Sequence, residues 1–276
     1  MMYTEIDNKT LKKLQTVQIE ILDEIIRICD KYGLNYFLIG GTLLGAVRHQ
    51  GFIPWDDDLD IGMLRKDYNK FLEVAPKELG EKYFLHTDTT DSKYWLPFSK
   101  VRKNNTLFLE KTLDGIDVIH RGIFVDIFPF DNMHAKESKS ERVRASLLKI
   151  IAEALLYKKK IYTLNKCHHK YLVYCFHFLS YKRLHSLKKN LMSLNHDDNS
   201  SYINTFATRA IYPDDNHLRS DFFPLVEMKF ADKLYKCPNN YDKYLKQLYG
   251  DYMKLPKEED RINHQTLEIV FDTQKK

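Results

Sequence analysis

The chain has 276 residues, 43% hydrophobic and 13% aromatic, so it can bury a sizeable core and is not intrinsically disordered. Its formal net charge of +5 is small, but residues 136–195 hold fourteen Lys/Arg and three Asp/Glu, which leaves −6 for the rest. This asymmetry predicts an acidic partner for the middle segment. Without an apolar signal-peptide core or closely spaced cysteines, we expect a cytoplasmic protein with free thiols, at most peripheral to a membrane through residues 136–195.

An amphipathic helix is predicted over residues 9–32, because apolar residues recur at steps of three and four. Gly33 follows at the position of a C-cap glycine. A β-type run from Leu34 to Ile39 ends at Gly40-Gly41, and a short helix is predicted from Thr42 to His49. Paired glycines allow close backbone approach, and a helix start offers free N–H groups to an anion. This stretch therefore predicts a phosphate cradle.

An acidic cluster, Asp56 to Asp60, follows a turn through Pro54. Side chains two residues apart point the same way along a strand, so Asp58 and Asp60 share a face, and Asp56 continues the alternation. Such carboxylates repel each other unless a cation lies between them, and hard oxygen ligands select Mg²⁺ or Mn²⁺. Beside a phosphate cradle, this site indicates phosphoryl or nucleotidyl transfer. Taken singly, the acidic run is more typical of a solvated turn, and the glycine pair of a tight connection.

The stretch GGTLLGAVRHQGFIPWDDDLDIG, residues 40–62, strongly resembles the signature of the LicD family, which is related to the fukutin proteins within the nucleotidyltransferase-fold superfamily. The superfamily pattern is a glycine pair, an Asp-apolar-Asp strand and a third acid on a neighbouring strand, matched here by Gly40-Gly41, Asp58, Asp60 and Asp126. The resemblance implies an α/β (α+β) fold with a mixed sheet flanked by helices. It also implies a metal-dependent enzyme that transfers phosphocholine from CDP-choline to a cell-surface glycan and releases CMP.

A second short helix is predicted from Lys66 to Val74, closed by Pro76, and strands are predicted within residues 83–110. Lys100 and Arg102 are spaced to share one strand face, which makes them candidates for contact with donor phosphates. From spacing alone a solvated strand edge is equally consistent. The resemblance favours the phosphate role, because the family often carries a lysine at this place.

Asp126 lies in the apolar run IFVDIFPF, which predicts a buried strand, whereas Asp131 after Pro129 is predicted to lie in a turn. A buried carboxylate is costly unless it is paired or metal-bound, so Asp126 is a functional candidate independently of the family. We expect it to complete the metal site with Asp58 and Asp60, or to take the proton from the acceptor hydroxyl.

Residues 136–195 predict a basic helical lobe, with one helix from Val143 to Leu156 and a second over residues 166–189. The second helix is consistent with an interfacial helix on anionic lipid, or with a hairpin that packs its aromatics on the core. The segment 221–265 resembles the family's C-terminal signature, although Phe230-Ala231-Asp232 departs from the family's Phe-Glu-Gly. A helix from Tyr241 to Leu248 is predicted there.

We therefore predict a catalytic core at residues 1–135, a basic lobe at 136–196 and a C-terminal segment at 197–276 that completes the active site. The candidate substrate-binding residues are Gly40, Gly41, Thr42, Arg48, Trp55, Lys100 and Arg102. Aromatic faces suit a quaternary ammonium, so Trp55, Tyr94 and Trp95 are candidates for the choline group. Expected partners are a CDP-alcohol donor and a glycan or lipid-linked glycan acceptor.

Three kinds of alternative to phosphocholine transfer stay open. In the first, the transferred group is ribitol phosphate, glycerol phosphate or a nucleotide. An inactive scaffold is disfavoured, because all three carboxylates and both glycines are retained. A nucleic-acid-binding nucleotidyltransferase is disfavoured, because the sequence contains no recognition motif of that class, and no nucleic-acid partner is expected.

Overall fold

The computed structural model describes residues 6–110, 120–134, 138–160, 163–176, 178–207, 216–261 and 266–275. The chain forms two compact units, Met1–Pro129 with Asp221–Lys276, and Phe130–Ser220. The functional boundaries predicted at residues 135 and 196 stay a prediction. In chain order the longer elements are α1 (Asn8–Tyr32), β1 (Phe37–Leu38), α2 (Gly40–His49), β2 (Asp60–Leu64), α3 (Arg65–Glu78), β3 (Tyr83–His86), β4 (Ser99–Lys103), β5 (Leu107–Glu110), β6 (Phe124–Met133), α4 (Lys139–Lys158), α5 (Lys170–Cys175), α6 (Tyr181–Met192), β7 (Tyr202–Asn204), β8 (Asn216–Leu218), α7 (Arg219–Phe222), β9 (Val226–Phe230), β10 (Lys233–Cys237), α8 (Tyr241–Tyr249) and β11 (Thr266–Val270).

The first unit combines a sheet with helices, which confirms the predicted α/β fold. Its strands follow the order β1-β2-β6-β4-β3, and β1–β2, β3–β4 and β4–β6 are antiparallel pairs. The amphipathic helix α1 spans nearly the predicted range and buries its apolar stripe, including Leu14, Ile21 and Ile25. It ends at Gly33, whose φ of 65° is the left-handed conformation that favours glycine.

Two features of the first unit differ from the predictions. The glycine pair forms the first turn of α2 instead of preceding it, because a helix start tolerates glycine better than a helix interior does. Pro76 lies inside α3 and does not close it. The buried residues Phe71, Val74 and Ala75 continue the apolar face of α3 up to the proline, so packing outweighs the lost backbone hydrogen bond.

In the second unit, β6 continues beyond the residue predicted to turn. Asp131 is fully buried in β6 and pairs with Asn204 of β7, so the predicted turn is wrong. Strand pairing of the backbone prevails over the turn tendency that Pro129 and an aspartate suggest. The strand β7 in turn pairs with β8.

The second predicted helix of the basic lobe is broken into α5 and α6. The hydroxyl of Ser180 accepts a hydrogen bond from the backbone N–H of Arg183 and caps the start of α6. Serine at this position favours a new helix start over continuation of the preceding helix. An apolar cluster joins α4, α5 and α6 through Ile151, Val173 and Leu184. Within the described ranges, no helix has the length and apolar character needed to cross a membrane.

Candidate active site

Acidic side chains alternate with buried residues along the approach to β2. Asp57 and Leu59 are fully buried, whereas Asp56, Asp58 and Asp60 are partly exposed. The predicted alternation therefore holds, although β2 begins only at Asp60 and Asp58 lies in the irregular residues before it. Three carboxylates thus lie on the same side of the chain.

The carboxyl group of Asp60 is at the centre of this acidic cluster. Burial raises its pKa well above the usual value, and the negative charges of Asp58, Asp126 and Asp56 raise it further. Its Oδ1 atom is buried and accepts no hydrogen bond from any described residue. A buried carboxylate oxygen without a donor is costly, so this atom is suited to a bound cation.

Asp126 lies in β6, which pairs with β4. It lies directly opposite Lys100 in the β4–β6 pair, and the Lys100 Nζ is 2.8 Å from Oδ2 and 2.6 Å from Oδ1 of Asp126. Burial raises the pKa of Asp126 to about 6, while the Lys100 ammonium acts in the opposite direction. The same ammonium lies 3.4 Å from the centre of the Phe124 ring. The backbone N–H of Asp126 also donates a hydrogen bond of 2.9 Å to the carbonyl of Leu59. The structure therefore places Asp126 and Lys100 beside the chain segment that carries Asp58 and Asp60.

A divalent cation fits the charge balance of this cluster. Lys100 offsets one negative charge, while the carboxylates of Asp56, Asp58, Asp60 and Asp126 together carry more. Among the described residues, no three His, Cys, Asp or Glu side chains form a ready-made metal cage. Magnesium sites for phosphoryl transfer need only one or two carboxylates, because waters and substrate phosphates supply the other ligands. The donors present suit such a partly open site.

The glycine pair allows the carboxylates to approach the start of α2. Gly40 has a φ of 54°, and a Cβ atom there would lie 3.6 Å from the Asp60 Oδ2. A Cβ at Gly41 would lie only 3.0 Å from the Asp56 Oδ2, closer than side chains normally pack. The glycine pair, predicted to form a phosphate cradle, therefore faces the carboxylates of Asp56 and Asp60. Binding of phosphate by this pair stays a prediction.

Thr42 links α2 to the acidic strand. Its side chain is almost fully buried, and its hydroxyl accepts a hydrogen bond of 2.8 Å from the backbone N–H of Asp60. This bond fixes the start of β2 relative to α2. This hydrogen bond gives Thr42 a structural role, and binding of substrate by Thr42 stays a prediction.

Arg48 lies near the C-terminal end of α2, and the ring centre of Trp55 lies 6.4 Å from that of the neighbouring His49. Arg48 donates hydrogen bonds to His49 Nε2 and to the carbonyl of Tyr252. No carboxylate pairs with it in the described part of the chain. The Trp55 ring has the Arg261 guanidinium 4.9 Å from its centre. At 1.5 Å per residue, Arg48 is about 12 Å from the start of α2, a distance that an extended donor would have to span.

Arg102 is placed differently from the predicted phosphate contact. It is 1% exposed, and its Nε and Nη1 donate to His86 Nδ1 and to the carbonyl of Gly122. The other ring nitrogen of His86 lies 2.9 Å from Asp91 Oδ2. Burial lowers the pKa of His86 to about 4, so the ring is neutral and Nε2–H donates to Asp91. These contacts give Arg102 a structural role in the interior.

Tyr94 is likewise an interior residue. It is 2% exposed, its ring centre lies 4.3 Å from that of His86, and burial raises the pKa of its hydroxyl. A choline group cannot reach the face of a ring buried to this extent. Of the aromatic candidates, Trp55 and Trp95 keep partial exposure.

The sequence analysis did not single out Asp57, a buried residue whose hydrogen bonds hold the acidic segment in place. Its Oδ2 accepts a hydrogen bond from the hydroxyl of Thr266, and its carbonyl accepts one from the Gln18 amide. Gln15 donates to the neighbouring carbonyl of Asp56. The signal was present in the sequence, because Gln18 interrupts the buried stripe of α1 with a polar side chain.

Two tyrosines of α8 also reach the site and were not predicted. The hydroxyl of Tyr244 accepts a hydrogen bond from the backbone N–H of Gly40. The hydroxyl oxygen of Tyr249 lies 3.8 Å from the position that a Cβ on Gly40 would occupy, on the same side as Asp60. Tyr249 is 46% exposed, so part of this residue is accessible to a substrate. Helix α8 therefore contacts the start of α2, and the role of the C-terminal segment in completing the active site stays a prediction.

On the hypothesis that the Tyr249 hydroxyl donates to a phosphate oxygen of the donor, we expect Tyr249→Phe to lower kcat/KM about tenfold, because that hydrogen bond would be lost. Tyr249→Ala should lower it further by removing the ring. Steady-state kinetics with varied donor concentration measure both effects, and Tyr241→Phe on the same helix is the control. Kinetics of Tyr249→Phe equal to those of the parent chain would exclude the hydroxyl from substrate positioning.

Residues 33–147 match a family model described as LicD/FKTN/FKRP, nucleotidyltransferase domain. The chain is similar to the lipopolysaccharide cholinephosphotransferase LicD of Haemophilus influenzae, with 30% identity over 95% of this chain and 98% of that protein. It is also similar to the human and mouse ribitol 5-phosphate transferase FKRP, with 38% identity over 20% of this chain and 11% of those proteins.

Proposed function

The chain belongs to the LicD family, and from this membership we propose that it transfers phosphocholine from CDP-choline to a hydroxyl group of a cell-surface glycan precursor. The acceptor class is a lipopolysaccharide, teichoic acid or capsule precursor. Similarity to the Haemophilus influenzae cholinephosphotransferase over nearly the whole of both chains supports the choline assignment. The proposal also places the enzyme in the cytoplasm, where nucleotide-activated donors are available.

The observation that carries the chemistry is the acidic cluster, in which the Oδ1 atom of Asp60 is buried and accepts no hydrogen bond from a described residue. Asp58 and Asp60 would hold Mg²⁺ or Mn²⁺, with Asp126 as a third ligand. The ion, when bound, supplies positive charge that offsets charge developing on the donor phosphates. Lys100 keeps Asp126 in place through its ion pair and adds a second positive charge next to the phosphates.

In the reaction, an acceptor hydroxyl oxygen forms a bond to the phosphorus of phosphocholine. The bond from that phosphorus to the bridging oxygen of CMP breaks, and CMP leaves with the electron pair. The acceptor must therefore lie in line with the breaking bond. Asp126 takes the hydroxyl proton in the variant of this proposal in which it is not a metal ligand. Thr42 and Asp57 hold the acidic segment rigid through the hydrogen bonds described above.

A second candidate is transfer of another phospho-alcohol, ribitol or glycerol phosphate. The similarity to the ribitol 5-phosphate transferases supports it, although it covers 56 residues. The acidic cluster is equally suited to either donor, because the transferred alcohol lies outside the reacting phosphate.

The test is CMP release from CDP-choline with a membrane glycolipid fraction as acceptor, in Mg²⁺ and in EDTA. CDP-ribitol and CDP-glycerol run in parallel, and Asp58→Ala with Asp60→Ala is the inactive control. We expect metal-dependent release from CDP-choline that the double variant loses. Release from another donor instead would overturn the choline assignment, and release that persists in EDTA or in the double variant would overturn the metal site.

A further inference from the structure

The basic lobe contains an unusual stretch in which positive charge is not balanced. Residues 154–196 contain nine Lys/Arg and no Asp/Glu. Lys166, Lys170, Lys182 and Arg183 are exposed. In the described part of the chain, none of these four side chains forms an ion pair with a carboxylate. Such a surface attracts a polyanion or an anionic surface.

The same stretch exposes large apolar side chains around α5. Phe178 is 82% exposed, Tyr171 79%, Tyr174 63% and Leu172 49%. The helix is fixed to its unit from the opposite side, where Val173 is 1% exposed within the apolar cluster. The inward side of α5 packs on the apolar cluster through Val173. The outward side is apolar and aromatic as well, and packing within the unit does not account for it. Exposed aromatic side chains this close together mark an interaction surface.

We propose that Tyr171, Leu172, Tyr174 and Phe178, with the four exposed cations, form a surface that binds anionic lipid bilayers. Tyrosine and phenylalanine suit the boundary between headgroups and acyl chains, and lysine and arginine pair with anionic headgroups. Leu172 favours lipid over nucleic acid, because an exposed aliphatic side chain gains burial in a bilayer, whereas single-stranded nucleic acids are bound through basic and aromatic side chains. This proposal does not depend on the identity of the phospho-alcohol donor.

The experiment is co-sedimentation of the full chain with vesicles of phosphatidylcholine alone and of phosphatidylcholine mixed with phosphatidylglycerol. We expect binding to the anionic vesicles that weakens with added salt, since electrostatic attraction at a membrane surface is screened. Binding that is equal on both vesicle types, or absent from the anionic ones, would overturn the proposal. Retention on a single-stranded oligonucleotide without vesicle binding would favour nucleic acid instead.

Two variants separate the apolar and the charged contributions. Tyr171→Ser with Leu172→Ser and Phe178→Ser should weaken anionic-vesicle binding about tenfold or more at unchanged net charge. Lys166→Gln with Lys170→Gln and Lys182→Gln should also weaken it and reduce its salt dependence. If the serine variant fails to fold by circular dichroism, the glutamine variant, altered only at exposed positions, still tests the surface.

The matched control removes three exposed apolar side chains elsewhere in the chain. Leu234, Met253 and Leu255 are 61%, 57% and 50% exposed, and their replacement by serine should leave vesicle binding unchanged. Equal loss in this control and in the Tyr171 variant would show a general effect of surface hydrophobicity and overturn the assignment to α5.

Discussion

Replacing Asp60 with asparagine is expected to lower transfer at least about a thousandfold while making the folded chain more stable. The loss follows from the proposed metal site, because a metal ion bound there would contribute several kcal/mol of transition-state stabilisation, and each 1.36 kcal/mol is tenfold in rate. The gain in stability follows because burial and the charges of Asp58, Asp126 and Asp56 disfavour the ionised Asp60. Asparagine keeps the shape of the side chain and removes that charge.

The stability gain should depend on pH with a definite sign. The pKa of Asp60 is raised in the folded chain, so the folded state keeps the proton to higher pH than the unfolded state does. The parent chain therefore loses stability as pH rises from the ordinary aspartate pKa through the raised one. The advantage of Asp60→Asn should be larger at pH 7 than at pH 4.

Thermal unfolding in EDTA at both pH values and CMP release with Mg²⁺ measure the two effects. Asp232→Asn is the control, because that aspartate is exposed and should change neither quantity. Full activity in the Asp60 variant would contradict its role as a metal ligand. A lower melting temperature in EDTA would show that the carboxylate has a stabilising partner in the metal-free protein.

The sequence predicted Asp58, Asp60 and Asp126 for a physical reason that the structure preserves. Alternation of side chains places Asp58 and Asp60 on the same side, and an aspartate within an apolar run is buried. Both statements depend on local order along the chain, which sequence patterns report well. The opposite position of Lys100 and Asp126 depends on the register between β4 and β6, which the sequence does not specify.

The burial of a side chain and its contacts were harder to predict than the strand face on which it lies. Lys100 and Arg102 share a face of β4, and the sequence pattern does not show that Lys100 pairs with Asp126 whereas Arg102 binds His86.

The break between α5 and α6 was also difficult to predict from the sequence. Aromatic periodicity over residues 166–189 suggested one helix, and the Ser180 cap that divides it is a single hydrogen bond which competes with the periodic signal.

Arg102→Ala should be strongly destabilising, lowering the free energy of unfolding by about 3 to 5 kcal/mol. The substitution leaves a buried ring nitrogen of His86 and the carbonyl of Gly122 without their donor, and unsatisfied buried groups cost about 1 to 3 kcal/mol each. The lost volume of a side chain that is 1% exposed adds a cavity cost. Urea unfolding followed by fluorescence measures the change.

Lys103 on the same strand is the matched control for Arg102. Its ammonium pairs with Glu20 near the surface, with side-chain exposures of 20% and 36%, so Lys103→Ala should cost less than about 1 kcal/mol. The two interpretations of Arg102 then give opposite results. A structural arginine lowers stability and leaves the KM for the donor unchanged in the fraction that remains folded. An arginine that binds phosphate leaves stability near that of the parent chain and raises KM, an outcome that would restore the contact predicted from the sequence.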